Sequence, residues 1–122
     1  MNSAKLRILV IEDHLSTQHV MVRMLRRAGY EVSPAITGEE ASRLVATSQF
    51  DLVITDIGLP GINGWELLGK VREEQPQIRA IALTGFGYPA DMQRSAEVGF
   101  DTHITKPAEW GQVEAAVKSL FP

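Results

Sequence analysis

The short apolar runs of this chain are continuous rather than alternating, and this pattern constrains the fold more than any other feature. Ile8 to Ile11 and Leu52 to Ile54 contain no polar residue. A strand with one face in water alternates apolar and polar residues, whereas a strand of a parallel sheet is covered by helices on both faces and is apolar throughout. The two runs therefore predict central strands of a parallel sheet with helices on both sides.

Five strand-like segments, rich in β-branched or apolar residues, alternate with five helical patterns. The predicted strands are Leu6 to Ile11, Glu31 to Ala35, Leu52 to Thr55, Ala80 to Leu83 and Thr102 to Thr105. The predicted helices are Ser16 to Ala28, one that Thr37 and Glu40 open and that ends at Thr47, one that Asn63 and Glu66 open and that ends before Pro76, Pro89 to Val98, and Ala108 to Leu120. Right-handed crossovers then give an α/β, doubly wound parallel sheet. Pro34 favours an edge position for the second strand.

The composition excludes several classes of protein. With 122 residues, 44% of them hydrophobic, the chain is the size of one domain, which we expect to span 1–122 with its core at about 5–120. It has no cysteine, so disulfides and thiolate metal sites are excluded and a cytoplasmic location is expected. No apolar run could cross a bilayer, and a net charge of -3 argues against direct nucleic-acid binding.

Polar residues of chemical interest follow four of the predicted strands. Glu12 and Asp13 follow the first strand, Asp56 the third, Thr84 the fourth and Lys106 the fifth. Each has an ordinary explanation of its own, as a turn residue, a helix cap or a surface lysine. Because the carboxyl ends of the strands in such a sheet line one crevice, we expect all of them to lie together. The conjunction indicates a functional site.

This set of groups fits phosphoryl transfer to Asp56. An ionised aspartate can attack an activated phosphoryl group without a general base and form an acyl phosphate. Glu12 and Asp13 offer carboxylates to a hard divalent cation, Mg²⁺ with Mn²⁺ as an alternative. Lys106 supplies a permanent positive charge, and Thr84 a hydroxyl group for a phosphoryl oxygen.

Four stretches of the chain form a specific pattern when taken in order. They are Ile8 to Asp13, Leu52 to Asp56 with Leu59-Pro60-Gly61 and Asn63-Gly64, Ala82 to Gly85, and Thr105 to Pro107. From about Lys5 to Leu120 the chain resembles the receiver domain of two-component response regulators, the chemotaxis-regulator-like group. The resemblance implies a flavodoxin-like (βα)5 fold with strand order 2-1-3-4-5.

The resemblance also implies residue roles. Asp56 would accept a phosphoryl group from a phosphohistidine of a histidine kinase or phosphotransfer domain. Mg²⁺ would be held by Glu12, Asp13, Asp56 and the backbone carbonyl of Gly58. Thr84 would move to bind the phosphoryl group.

Two further implications concern the segment around the lysine. His103, three residues before Lys106, would be the switch residue that rotates inward with the movement of Thr84. The Lys106–Pro107 peptide bond would be cis.

Three departures from the family pattern limit these implications. The switch position usually carries Tyr or Phe; we interpret His103 as an aromatic substitute, with a protonation-dependent switch as the alternative. Gly58 and Phe86 occupy positions that influence hydrolysis of the acyl phosphate, and their combination leaves its lifetime open. Asp101 matches an interface residue of dimeric relatives, but Gln112 to Ser119 offers no arginine to pair with it. We therefore expect a monomer or weak dimer.

The first helix is predicted to present two faces. Its core stripe is set by Val20, Met21, Met24, Leu25 and Ala28. A second side, next to the site, carries Leu15, His19, Val22 and Arg26. This side is either a docking surface for the kinase or phosphotransfer bundle or a set of scattered surface residues. Trp65 and Trp110 are interpreted as packing residues at the starts of the third and fifth helices.

These inferences predict a phosphorelay receiver that switches a protein-interaction surface and is not a dedicated enzyme. It would be a single-domain regulator or the receiver of a hybrid histidine kinase, and its downstream target is not indicated. A flavodoxin-like cofactor binder lacks support because no glycine-rich loop follows the first strand. An aspartyl phosphatase would need an acid at position 58, which is Gly58. A degenerate receiver is disfavoured by the intact site residues.

Overall fold

The computed structural model describes residues 5–85 and 89–122, and Phe86 lies outside these ranges. The strands are β1 (Arg7–Ile11), β2 (Glu31–Ala35), β3 (Leu52–Asp56), β4 (Arg79–Thr84) and β5 (Thr102–Thr105). The helices are α1 (Leu15–Arg27), α2 (Gly38–Thr47), α3 (Gly64–Glu74), α4 (Pro89–Val98) and α5 (Trp110–Leu120). All strand pairs are parallel, in the order β2-β1-β3-β4-β5. The predicted α/β, doubly wound, flavodoxin-like fold is confirmed.

Both faces of the sheet are buried, which explains the continuous apolar runs. Along β1, Leu9 and Ile11 belong to one hydrophobic cluster, which α2 and α3 cover, while Ile8 and Val10 belong to a second cluster under α1 and α5. Alternate side chains of a strand point to opposite faces, so a strand covered on both sides must be apolar at every position. Pro34 lies on β2 at the edge of the sheet, as predicted.

The predicted helix starts and stops agree closely with the structure. Thr37 Oγ1 accepts the Glu40 backbone N–H at 3.1 Å, and Asn63 Oδ1 accepts the Glu66 N–H at 2.9 Å, so both side chains act as N-caps. Gly29, just beyond α1, has φ +99°, a conformation that favours glycine. None of the helices in the described ranges is long and apolar enough to cross a membrane.

The predicted core stripe of α1 is confirmed at Met21 and Leu25 but wrong at Val20, Met24 and Ala28. The buried residues of this helix are Gln18, Met21, Val22 and Leu25. Val20 is 58% exposed and Met24 37% exposed, whereas Val22 is only 6% exposed. The reason is Gln18, whose side-chain amide donates to the Ala35 carbonyl at 2.9 Å and to the Glu12 carbonyl at 3.3 Å. With these bonds made, the polar residue can be buried, and the helix presents a different face to the sheet.

The start of α5 also differs from the prediction. The helix begins at Trp110 rather than Ala108, because Glu109 is its N-cap and forms a capping box with Gln112. Trp110 packs against the core at this helix start, and Trp65 does the same at the start of α3, as predicted. Val113 and Val117 are the buried residues of α5.

Candidate functional site

The charged side chains at the strand ends meet at the carboxyl edge of the sheet. Lys106 Nζ donates to Asp56 Oδ2 at 2.7 Å and lies 2.9 Å from Glu12 Oε2. One ammonium group thus joins the ends of β1 and β3 to the segment that follows β5. Glu12 is 1% exposed and Asp56 8% exposed, so the charges interact with little screening by solvent.

The two carboxylates raise the pKa of Lys106. Burial acts in the opposite direction, because it disfavours a charged ammonium group, but the hydrogen bonds and charges of Asp56 and Glu12 together outweigh it. Lys106 is therefore held protonated at neutral pH. It is a permanent positive charge beside Asp56.

The Asp56 carboxylate is held on both sides. Its Oδ1 accepts the backbone N–H of Gly58 at 2.9 Å, while Oδ2 accepts Lys106. Behind it, the Ile57 N–H donates to the Leu83 carbonyl at 3.0 Å. The side chain therefore has a fixed position at the end of β3.

The acidic groups outnumber the basic one. Glu12, Asp13 and Asp56 contribute three carboxylates against the single ammonium of Lys106, an excess of two negative charges. Glu12 Oε1 accepts the His14 N–H at 3.1 Å, and the His14 Nδ1 lies 3.6 Å from that oxygen and 3.8 Å from Asp13 Oδ1. Glu12, Asp13 and His14 can present ligand atoms within 4.8 Å of one another. Oxygen donors carrying excess negative charge fit a hard divalent cation such as Mg²⁺.

The Thr84 hydroxyl group is buried at the end of β4. Thr84 ends β4 and is 3% exposed, and its Oγ1 makes no hydrogen bond to any residue in the described part of the chain. The backbone is fixed by the Lys106 N–H, which donates to the Thr84 carbonyl at 2.7 Å. A buried hydroxyl without a partner is costly, so it is ready to donate to an arriving oxygen atom.

The remaining residues that the sequence placed at the site have less defined contacts. His103 lies on β5, paired in register with Ala82 of β4, and is half-buried. Its role as a switch residue stays a prediction. The Lys106–Pro107 peptide bond is cis. Gly58 lies beside Asp56, with its Cα side open enough that a Cβ would meet nothing closer than Asp56 Oδ1 at 3.8 Å.

Asp101 has partners that the sequence did not reveal. Its carboxylate lies 3.4 Å from Arg72 Nη2 and 3.2 Å from Arg79 Nε, and it accepts the Ala80 N–H at 2.8 Å. Both arginines are more than twenty positions away in the chain, so no local pattern could have indicated them. Asp101 therefore ties β4 to the start of β5 within the chain.

The structure also has a groove between α1 and α5 that the sequence did not predict. It has a volume of about 690 Å³ and is mostly apolar, with Val20, Met24 and Trp110 among its lining residues. His14 and Lys106 line it as well, so the groove leads to the carboxyl edge of the sheet where Lys106 pairs with Asp56. The groove exists because Val20 and Met24 are exposed, whereas the predicted core stripe had placed both residues in the core.

Comparison with known proteins identifies the family. The model of the response regulator receiver domain matches residues 8–118. The chain belongs to the response regulator receiver family. It is 30% identical over 116 residues to sporulation initiation phosphotransferase F of Bacillus subtilis, covering 95% of this chain and 94% of that protein. It spans about half the length of most of the other curated relatives that it matches.

Solved structures support the same assignment. A CheY-like receiver domain protein from Methanospirillum hungatei superposes with a TM-score of 0.90 at 29% identity, covering 96% of this chain and 94% of that one. The response regulator TrrA from Thermotoga maritima, solved in complex with Mg²⁺-BeF, superposes with a TM-score of 0.84 at 31% identity, covering 95% and 99%. The protein is thus a receiver domain of two-component signalling, and such domains are regulatory rather than dedicated enzymes.

Proposed function

We propose that this receiver accepts a phosphoryl group on Asp56 and thereby switches a protein-interaction surface. The observation that carries the proposal is the arrangement around Asp56. A protonated Lys106 lies 2.7 Å from its carboxylate, and the buried Thr84 hydroxyl has no partner among the described residues. The site thus has a nucleophile, a fixed cation and a hydroxyl donor. The loop that follows β1, Glu12 to His14, contains no glycine that would suit a cofactor phosphate.

The nucleophile and two of the groups that pair with the phosphoryl oxygens belong to this chain. A carboxylate oxygen of Asp56 attacks phosphorus, a new P–O bond forms, and the P–N bond of a phosphohistidine breaks with its electron pair returning to the imidazole. Once the new P–O bond has formed, the carboxylate charge of Asp56 is lost, and the Lys106 ammonium can pair instead with the negative charge that the phosphoryl oxygens carry. Thr84 donates its hydroxyl to another of these oxygens.

A divalent cation would be held beside these groups by Glu12, Asp13, Asp56 and the backbone carbonyl of Gly58. When bound, Mg²⁺, or Mn²⁺ in its place, supplies positive charge that offsets the repulsion between carboxylate and phosphoryl group. The excess of two negative charges in the cluster supports this part of the proposal.

The phosphoryl donor is proposed to be a histidine kinase or histidine phosphotransfer domain that docks on α1. Leu15 is 54% exposed and Val20 58% exposed, and His19 is also at the surface. The side of α1 that the sequence offered as a docking surface changes at one residue. Val22 is part of the core, and the exposed Val20 replaces it in the surface. Arg26 is turned to its own chain, where it donates to the Val32 carbonyl at 2.9 Å.

The output follows from the switch. We propose that Thr84 and His103 change arrangement when Asp56 is phosphorylated and so alter the surface that a downstream protein reads. The proposal includes one receiver domain over residues 1–122, a cytoplasmic location, a monomer or weak dimer, and no direct contact with nucleic acid or insertion into a membrane. The receiver could act alone or within a hybrid kinase.

The test is the intact mass of the protein after incubation with acetyl phosphate and Mg²⁺. We expect one phosphoryl adduct in the wild type and none in Asp56→Asn or in a chelator-treated sample. Asp91→Asn, an aspartate on α4, serves as the matched control and should be labelled like the wild type. An adduct that persists in Asp56→Asn would show that the phosphoacceptor has been assigned to the wrong residue.

A further inference from the structure

Trp65 joins α3 to α4 through two neighbouring residues. Its indole Nε1–H donates to Ser95 Oγ at 2.9 Å, and Ser95 is 1% exposed. The guanidinium carbon of Arg94 lies 4.5 Å from the centre of the indole ring, within the range of a cation–π contact. We call this set of contacts, made by Trp65, Arg94 and Ser95, the Trp65 strap.

The α3 end of the strap rests directly on the phosphoacceptor segment. The Gly64 N–H donates to the Ile57 carbonyl at 2.9 Å. A Cβ added at Gly64 would lie 2.7 Å from the Asp56 carbonyl oxygen and 2.8 Å from Ile57 Cα, so the two backbones are in close contact. Trp65 is the next residue. Its position is therefore fixed relative to Asp56.

The α4 end of the strap is connected to a different part of the site. Helix α4 begins at Pro89, five residues after Thr84. Thr84 is the group that would move towards a phosphoryl group on Asp56, while α3 is held by Gly64. A movement of Thr84 that displaces α4 must therefore act against the contacts of the strap.

We propose that Trp65 is a positioning residue whose hydrogen bond to Ser95 and stacking with Arg94 hold α4 in the phosphoryl-free arrangement. This inference rests on the proposed function. The strap is formed in a structure in which Lys106 pairs with Asp56 and Thr84 Oγ1 has no partner among the described residues, the arrangement expected of the phosphoryl-free protein. A contact present in one of two arrangements opposes conversion to the other by its own free energy. Removing the strap favours the switched arrangement.

The affinity for beryllofluoride, an analogue of the phosphoryl group, tests this in the presence of Mg²⁺. Ser95→Ala removes the acceptor with little change in volume, and we expect it to bind beryllofluoride about three- to tenfold more tightly, the range that one neutral hydrogen bond gives. Ser119→Ala is the matched control, because among the described residues the Ser119 hydroxyl bonds only to the Ala116 carbonyl of its own helix. Its affinity should equal that of the wild type. Isothermal titration measures both.

Two further variants separate the strap from general loss of stability. Trp65→Phe keeps an aromatic ring but loses the N–H, so it should also bind more tightly, and the double variant with Ser95→Ala should gain no more than either alone. In Trp110→Phe, Trp65 is the sole tryptophan, and its emission should change when beryllofluoride binds. A variant that is merely destabilised would bind more weakly.

The outcomes distinguish the strap from the proposed function. Unchanged or weaker binding by both Ser95→Ala and Trp65→Phe, with normal labelling of Asp56 by acetyl phosphate, would overturn the strap and leave the phosphoacceptor standing. A wild type that takes neither a phosphoryl group nor beryllofluoride would overturn both.

Discussion

The sequence predicted the meeting of the strand-end side chains well and the buried face of α1 poorly. Glu12, Asp56, Thr84 and Lys106 belong to four separate segments, yet the structure places them together. Helix α1 is a single continuous pattern, yet its buried face was predicted correctly only at Met21 and Leu25, while Gln18 and Val22 were missed. The end of a strand in a parallel sheet therefore predicts where a side chain lies more reliably than the apolar pattern of a helix predicts which of its faces is buried.

The largest effect is expected at the site itself. Lys106→Met removes the only ammonium group paired with Asp56 in the described structure, so phosphoryl charge would develop without its fixed partner. We expect the rate of adduct formation with acetyl phosphate to fall about 100-fold or more, measured from a time course of intact mass. Lys118→Met, at an exposed lysine that pairs with Glu114 on its own helix, should leave the rate unchanged. Equal rates in the two variants would remove Lys106 from the proposed chemistry.

The second prediction compares two glycines of α3. Gly64→Ala places a Cβ 2.7 Å from the Asp56 carbonyl oxygen, and because that neighbour is backbone it cannot easily yield. We expect a loss of about 1–3 kcal/mol in the free energy of unfolding. Gly69→Ala meets nothing within 4 Å and should instead stabilise the protein by about 0.5–1 kcal/mol, since alanine favours the helix.

Urea denaturation of these two glycine variants measures both signs. If Gly64→Ala were as stable as the wild type, the close contact of α3 with the backbone of Asp56 and Ile57 would be absent in solution. The Trp65 strap would then lose its anchor.

The third prediction tests the corrected face of α1. Val22→Ala removes two buried methyl groups and should cost about 2 kcal/mol. Val20 lies two residues away, and its side chain is 58% exposed. Val20→Ala should therefore change the free energy of unfolding by less than about 0.5 kcal/mol. Denaturant melts of the pair decide the orientation of the helix, since the face predicted from the sequence gives the opposite order.

The limits of sequence reasoning follow from this contrast. Strand order, helix caps at Thr37 and Asn63, and the meeting of polar groups at one edge all depend on local patterns or on the topology of parallel sheets. The buried face of α1 depends on Gln18, whose amide finds the Ala35 and Glu12 carbonyls only after the chain has folded. Pairings between distant residues, such as Asp101 with Arg72, leave no local signal.

The smallest effect concerns the pH dependence of stability in the metal-free protein. The pKa of Lys106 is raised in the folded state by Asp56 and Glu12, so its ammonium stabilises the fold, relative to Lys106→Met, at every pH below the ordinary lysine value of 10.5. That advantage should be constant from neutral pH to about pH 10 and should shrink only as the pH rises through the higher pKa of the folded state.

Urea melts of wild type and Lys106→Met in a chelator, from pH 7 upwards, measure this difference. An advantage that already declines between pH 8 and pH 9 would mean that burial outweighs the two carboxylates and that the pKa is lowered. In that case Lys106 would lose its charge within the range where phosphoryl transfer is assayed. The charge of Lys106 would then depend on how deeply the folded chain buries it, which no sequence motif reveals. In that respect the strand-end site would be as hard to predict from sequence as the buried face of α1.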